Sequence, residues 1–165
     1  MKRIAIVIKS LMLTVFLCLV SFTSANSQNC SATLSVEKDR NARSAYEDEG
    51  AIFNMVLTNT SSRQTTYTIS TKSLEASCAN DNYRTSAPNV SLNVSVRNRN
   101  NASVANNSLT LSAGETREFQ IYVSVPAQTP LNTWSCIEVL AQGTDCARPA
   151  TSTTLRVFVP EPSDG

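Results

Sequence analysis

The sequence predicts an all-β fold, an antiparallel sandwich of about seven to nine strands of the immunoglobulin or fibronectin III kind. Three observations predict it. Apolar and polar residues alternate over short runs, Asn-, Ser-, Thr- and Pro-rich loops separate those runs, and no stretch carries a convincing helical period. One-sided alternation suits two antiparallel sheets packed face to face, because successive side chains of a strand point to opposite sides.

The runs are read in chain order. Leu34 and Val36 mark the first, then Phe53, Met55 and Leu57 in "AIFNMVLTNTSS", then Tyr67 and Ile69. "NVSLNVSV" sets Val90, Leu92, Val94 and Val96 on one face, and a short pair, Leu109 and Leu111, precedes the turn "SAGE". "REFQIYVSVP" alternates through Phe119, Ile121, Val123 and Val125. Residues 134–142 follow with Ile137, Val139 and Ala141 inward, and "TTLRVFVP" closes with Leu155, Val157 and Val159. Gly50 and Gly114 mark turns, while Pro126, Pro130 and Pro160 stop strands because proline donates no ladder hydrogen bond. "RNRNNASVANNS" (97–108) is expected to be an exposed, mobile loop, and the tail 160–165 a disordered end.

The chain begins as a secretory signal does. Lys2, Arg3 and Lys9 give a basic start, Leu11 to Val20 an apolar stretch too short for a comfortable span, and Ala25 and Ser27 a small-residue cleavage site before Gln28. A lipid anchor at Cys18 and an uncleaved membrane anchor are the lesser alternatives. Removal of residues 1–27 leaves one domain at 28–159 and takes the formal charge from +1 to −2. A slightly acidic chain with no basic cluster is a poor partner for nucleic acid, which is bound by Lys and Arg neutralising phosphates. Contact with a membrane is expected only through an uncleaved signal, and the destination is the periplasm, the cell surface or the medium.

Cys30, Cys78, Cys136 and Cys146 remain, an even number in an exported chain, and predict two disulfides. Zinc would want a close Cys pair or histidine, and the chain has no histidine. Strand direction suggests the pairing. If each strand reverses the end toward which the chain points, Cys30 and Cys136 lie at one end and Cys78 and Cys146 at the other. Ten residues of extended strand span about 33 Å, whereas bridged Cα atoms lie within about 7 Å. If 136–142 is one strand, Cys136 and Cys146 cannot pair with each other unless a tight hairpin forms at Gln142-Gly143, and the expected bridges are Cys30–Cys136 and Cys78–Cys146.

"VLTNTSS", "YTIS", "LTLSAGETREFQIYVSVP" and "NTWSCIEVLAQG", in that order, resemble the NEW3 and CARDB-like modules of secreted bacterial proteins, which are fibronectin-III-like sandwiches. The resemblance covers roughly residues 33–159. It departs at Ala113, at Asn132-Thr133-Trp134 and in the long connection around Cys78. It implies an accessory or adhesive module that binds a protein or a cell-surface component.

No histidine means no Ser-His-Asp or Cys-His catalytic arrangement, and paired cysteines leave no thiolate. An enzyme is therefore not expected, nor a cofactor. "YEDEG" (46–50) and "CANDNYR" (78–84) carry oxygen ligands in Glu47, Asp48, Glu49 and Asp81, but a solvated acidic loop explains them better than calcium. The alternative function is carbohydrate binding through Trp134, Tyr83 and the Asn-rich loops, with Tyr122 also expected on an exposed strand face. Trp134 poses a choice. The alternation of Ile137, Val139 and Ala141 turns it outward, so it packs only if a bulge near Ser135 shifts the register, and otherwise stands exposed. Six Asn-x-Ser/Thr sites, at Asn29, Asn59, Asn89, Asn93, Asn101 and Asn106, are expected to reflect composition rather than glycosylation.

Overall fold

The computed structural model describes residues 30–75, 78 and 89–161. The expected signal segment and Tyr83 lie outside the described residues, as does all but the start of the tail. Nine strands form two sheets: β1 (Ala32–Val36), β2 (Ala42–Ser44), β3 (Ala51–Asn59), β4 (Thr65–Ser73), β5 (Asn93–Arg97), β6 (Ser108–Leu111), β7 (Thr116–Ser124), β8 (Thr133–Gly143) and β9 (Thr151–Val159). One sheet runs β1-β3-β7-β5 and the other β2-β9-β8-β4-β6.

Period-two alternation places the core as expected. Phe53, Met55 and Leu57 of β3 and Phe119, Ile121 and Val123 of β7 face Tyr67 and Ile69 of β4, Ile137, Val139 and Ala141 of β8, and Leu155, Val157 and Val159 of β9, all buried in one apolar cluster. Burying side chains of this size is each favourable by about 1.5–3 kcal/mol. That term drives the two sheets together.

Two segments change sheets without reversing direction. β1 pairs with β3 in the first sheet, and after a turn at Glu37–Asp39 the chain continues as β2, parallel to β9 in the second. Likewise β5 pairs antiparallel with β7, and β6, after the asparagine-rich run, pairs antiparallel with β4. That run is an ordered crossing. Asn101, Asn106 and Asn107 hold positive φ of 64°, 51° and 50°, a region asparagine tolerates better than most residues. The Asn98 side-chain oxygen accepts the N–H groups of Asn100 and Ala102, and Arg97 bonds Asn101.

The crossing corrects the disulfide pairing. The bridges are Cys30–Cys146, with Cα atoms 6.3 Å apart, and Cys78–Cys136, at 5.8 Å. Cys136 and Cys146 do lie at opposite ends of β8. The exchange of partners arises because β5 and β6 point the same way, so strict alternation fails by one strand between Cys78 and Cys136. Every later strand is thereby inverted. Cys30 and the end of β8 share what we term the upper pole, and the end of β4 and the start of β8 share the lower pole.

The upper pole is closed by Asn59, fully buried at the end of β3. Its Nδ2 donates to the carbonyls of Arg63, Leu111 and Ser112. Its Oδ1 accepts the N–H and hydroxyl of Ser61 and the Tyr67 hydroxyl, at 3.0, 2.6 and 2.8 Å. Chain ends of three strands and a turn thus share one amide. Beside it, a Cβ at Gly143 would fall 2.5 Å from the Cys146 sulfur, so glycine makes room for the upper bridge.

Candidate functional site

Trp134 satisfies neither expected alternative. β8 pairs with β9 in unbroken register from Thr133↔Val159 to Ala141↔Thr151, so there is no bulge at Ser135. Trp134 lies on the outer face with Cys136, yet it is only 5% exposed. Its ring tilts against Phe158 of β9 at 5.1 Å between centroids. Two further backbone bonds reach β8 here. β4 leaves β8 at Leu74, whose N–H donates to Cys136 O, and the chain returns at Val90, whose N–H donates to Trp134 O. Asn89 Nδ2 bonds the Leu74 carbonyl and ties the two limbs together. The Cys78–Cys136 bridge joins Cys78 to the same outer face. Trp134 therefore packs on Phe158 on the outer face and offers no open stacking platform.

The remaining expected residues separate. Tyr83 and Asp81 lie outside the described residues. Tyr122 stands on the outer face of β7 but is half-buried, with the Arg97 guanidinium 3.7 Å above its ring centroid. Of the Asn-x-Ser/Thr sites, Asn59 has its amide nitrogen wholly engaged in the upper pole, while Asn93, Asn101 and Asn106 are exposed.

The acidic run sits at the lower pole, between β2 and β3. Gly50 N–H donates to Tyr46 O and closes the turn, with Gly50 at φ +66°. A Cβ there would lie 2.5 Å from the Val123 carbonyl oxygen, so only glycine fits. Glu47 accepts the N–H of Gln128 from the β7–β8 loop. Together Tyr46, Glu47, Asp48 and Glu49 line a hollow of about 780 Å³ with Leu131, Val159 and Pro160. Among the described residues no three acidic or cysteine side chains converge to hold a metal. Leu131 was not singled out from the sequence. The signal available was a leucine between Pro130 and Asn132 in a loop where alternation had stopped.

Fold and bridges define the chain as an immunoglobulin-like β-sandwich domain stapled by two disulfides. More particularly, residues 22–160 match the family described as "IG-like fold at C-terminal of FixG, putative oxidoreductase", and the chain belongs to that family. The match is to this family rather than to the NEW3 or CARDB modules that the short motifs resemble. A family 123 glycoside hydrolase from Clostridium perfringens shares the fold at 12% identity and a TM-score of 0.51, over 78% of this chain and 27% of that one. The chain thus spans about a quarter of the hydrolase's length. A FixG-related protein from Vibrio parahaemolyticus aligns at 14% identity and a TM-score of 0.47, over 79% of this chain and 96% of that one. Comparison with curated proteins finds no match.

Proposed function

We propose that the protein is an exported, non-enzymatic sandwich module with a structural or interaction role toward another protein or a cell-surface component. One observation carries the reading: two disulfides clip opposite poles of a fully packed sandwich, and such bridges persist in oxidising compartments. Among the described residues no helix is long and apolar enough to cross a membrane. The missing histidine and the engaged cysteines leave little for nucleophilic chemistry, and the NEW3- and CARDB-like motifs support an accessory role. The carbohydrate alternative loses its platform with Trp134 covered.

The test is fractionation of cells carrying the tagged full chain, with thiol alkylation before and after reduction. The expected product is exported, shortened by about 27 residues, and takes up no alkylating reagent until reduced. A full-length cytoplasmic product with free thiols would overturn the reading.

A further inference from the structure

Three large apolar side chains stand exposed among the described residues: Tyr46 at 39%, Ile52 at 43% and Leu131 at 46%. All three gather at the lower pole. Tyr46 and Leu131 line the hollow already described, and Tyr46 and Ile52 line an adjoining one with Arg43 and Glu49. Scattered exposed leucines need no explanation, but a contiguous group around a concavity marks a contact surface.

The surface is preformed. Leu131 is held outward by a loop stiffened by Pro126 and Pro130, with Thr129 Oγ1 bonded to Pro126 O and Thr133 Oγ1 to Pro130 O at 2.6 Å each. Asn132 N–H donates to Val159 O at 2.7 Å, and Gln128 N–H to Glu47. A group held rigidly in water loses little further freedom on binding.

Its rim is acidic. Glu47, Asp48 and Glu49 are consecutive, whereas the ion pairs found among the described residues lie elsewhere, at Arg99–Glu118 and Arg117–Glu115. Arg43 is the one cation lining either hollow. A second copy of this chain would set carboxylates against carboxylates in a two-fold contact.

We propose that the lower pole docks a cationic, apolar segment of another protein, with Leu131, Tyr46 and Ile52 receiving its apolar side chains and Asp48 and Glu49 its lysines or arginines. This rests on the reading of an exported interaction module and names the surface and partner class.

The experiment uses the full chain produced with its own leader and recovered after export. The isotope-labelled protein is titrated with three synthetic decapeptides, alternating Lys-Leu, Glu-Leu and Lys-Ser, and binding is followed by backbone amide shifts. The expected result is that only the Lys-Leu peptide binds, with shifts confined to residues 43–52 and 126–133. Leu131→Ser, and separately the pair Asp48→Asn with Glu49→Gln, should each weaken it at least about fivefold while thermal stability stays level, since these side chains are exposed. Glu118→Gln, on the outer face of β7, should change nothing. Equal binding of both lysine peptides, shifts elsewhere on the domain, no binding, or dimerisation through Leu131 would each overturn the proposal. The export assay is independent, so an exported, disulfide-bonded protein that ignores the peptide sinks this inference and leaves the broader reading standing.

Discussion

The two poles of this sandwich are built for opposite ends. The upper pole has its polar groups turned inward: Asn59 joins three carbonyls, Ser61 and Tyr67, and Tyr67 also reaches the Ser31 carbonyl at 3.1 Å. The lower pole leaves Tyr46, Ile52 and Leu131 in water beside three carboxylates. Each pole carries one disulfide, so the difference lies in what the loops present. Cohesion is concentrated where the loops close on a buried amide, whereas the other pole holds apolar groups outward.

The sharpest way to break the comparison is Asn59→Leu, which keeps the branched outline of the side chain and removes its polarity. Unpaired buried carbonyls and hydroxyls cost about 1–3 kcal/mol each. With several affected together, urea unfolding should show a loss of at least about 3 kcal/mol. A loss no larger than an exposed substitution gives would remove the claim that Asn59 closes this end.

Next come the bridges. Replacing either cysteine pair by serine should cost about 2–4 kcal/mol. The upper loop is 116 residues against 58 for the lower, and doubling a loop adds only about 0.6 kcal/mol. The two losses should therefore be similar, and fluorescence should distinguish them. Trp134 is the chain's one tryptophan and shares the outer face of β8 with the bridged Cys136. Its emission should shift to the red in Cys78→Ser/Cys136→Ser while the protein stays folded, and should hold in Cys30→Ser/Cys146→Ser. Unchanged emission in the first variant would mean that the burial of Trp134 does not depend on the Cys78–Cys136 bridge.

The smallest effect belongs to the turn after β6. The Glu115 carboxyl is held below the usual glutamate value, first by the hydrogen bond from Arg117 and then by the Ser112 N–H. A lowered folded value gives stability that is present above the ordinary carboxylate range and is lost as pH falls through the folded value. The difference between the native chain and Glu115→Gln should be small near neutrality, because the group is exposed, and should fade as pH drops through the lowered folded value. A difference that grows on acidification would contradict the assigned cause.

Much of this was legible in the sequence, for a physical reason. Alternation reports which face of a strand meets the core, and Phe119, Ile121, Val123, Leu155, Val157 and Val159 all lie where it places them. Alternation carries no information on which sheet a strand joins. The sheet change between β5 and β6 depends on backbone turns at Asn101, Asn106 and Asn107, and a run of asparagines reads equally well as a plain loop. The bridges were misassigned for that reason alone. Trp134 illustrates a second limit. Its outward direction follows from the pattern, but its burial comes from contacts outside the β8 alternation, such as the Phe158 ring of β9, that no period announces. Leu131 shows a third, since exposure at a loop apex is set by the surrounding backbone hydrogen bonds and leaves no period to read.

Assignment of loops to poles rests on strand direction, which the disulfides report directly. Proteolysis of the purified protein under non-reducing conditions, followed by mass analysis of linked peptides, should find Cys30 joined to Cys146 and Cys78 to Cys136. Linkage of Cys30 to Cys136 and Cys78 to Cys146 would mean that β5 and β6 reverse after all, and the two poles described above would not exist.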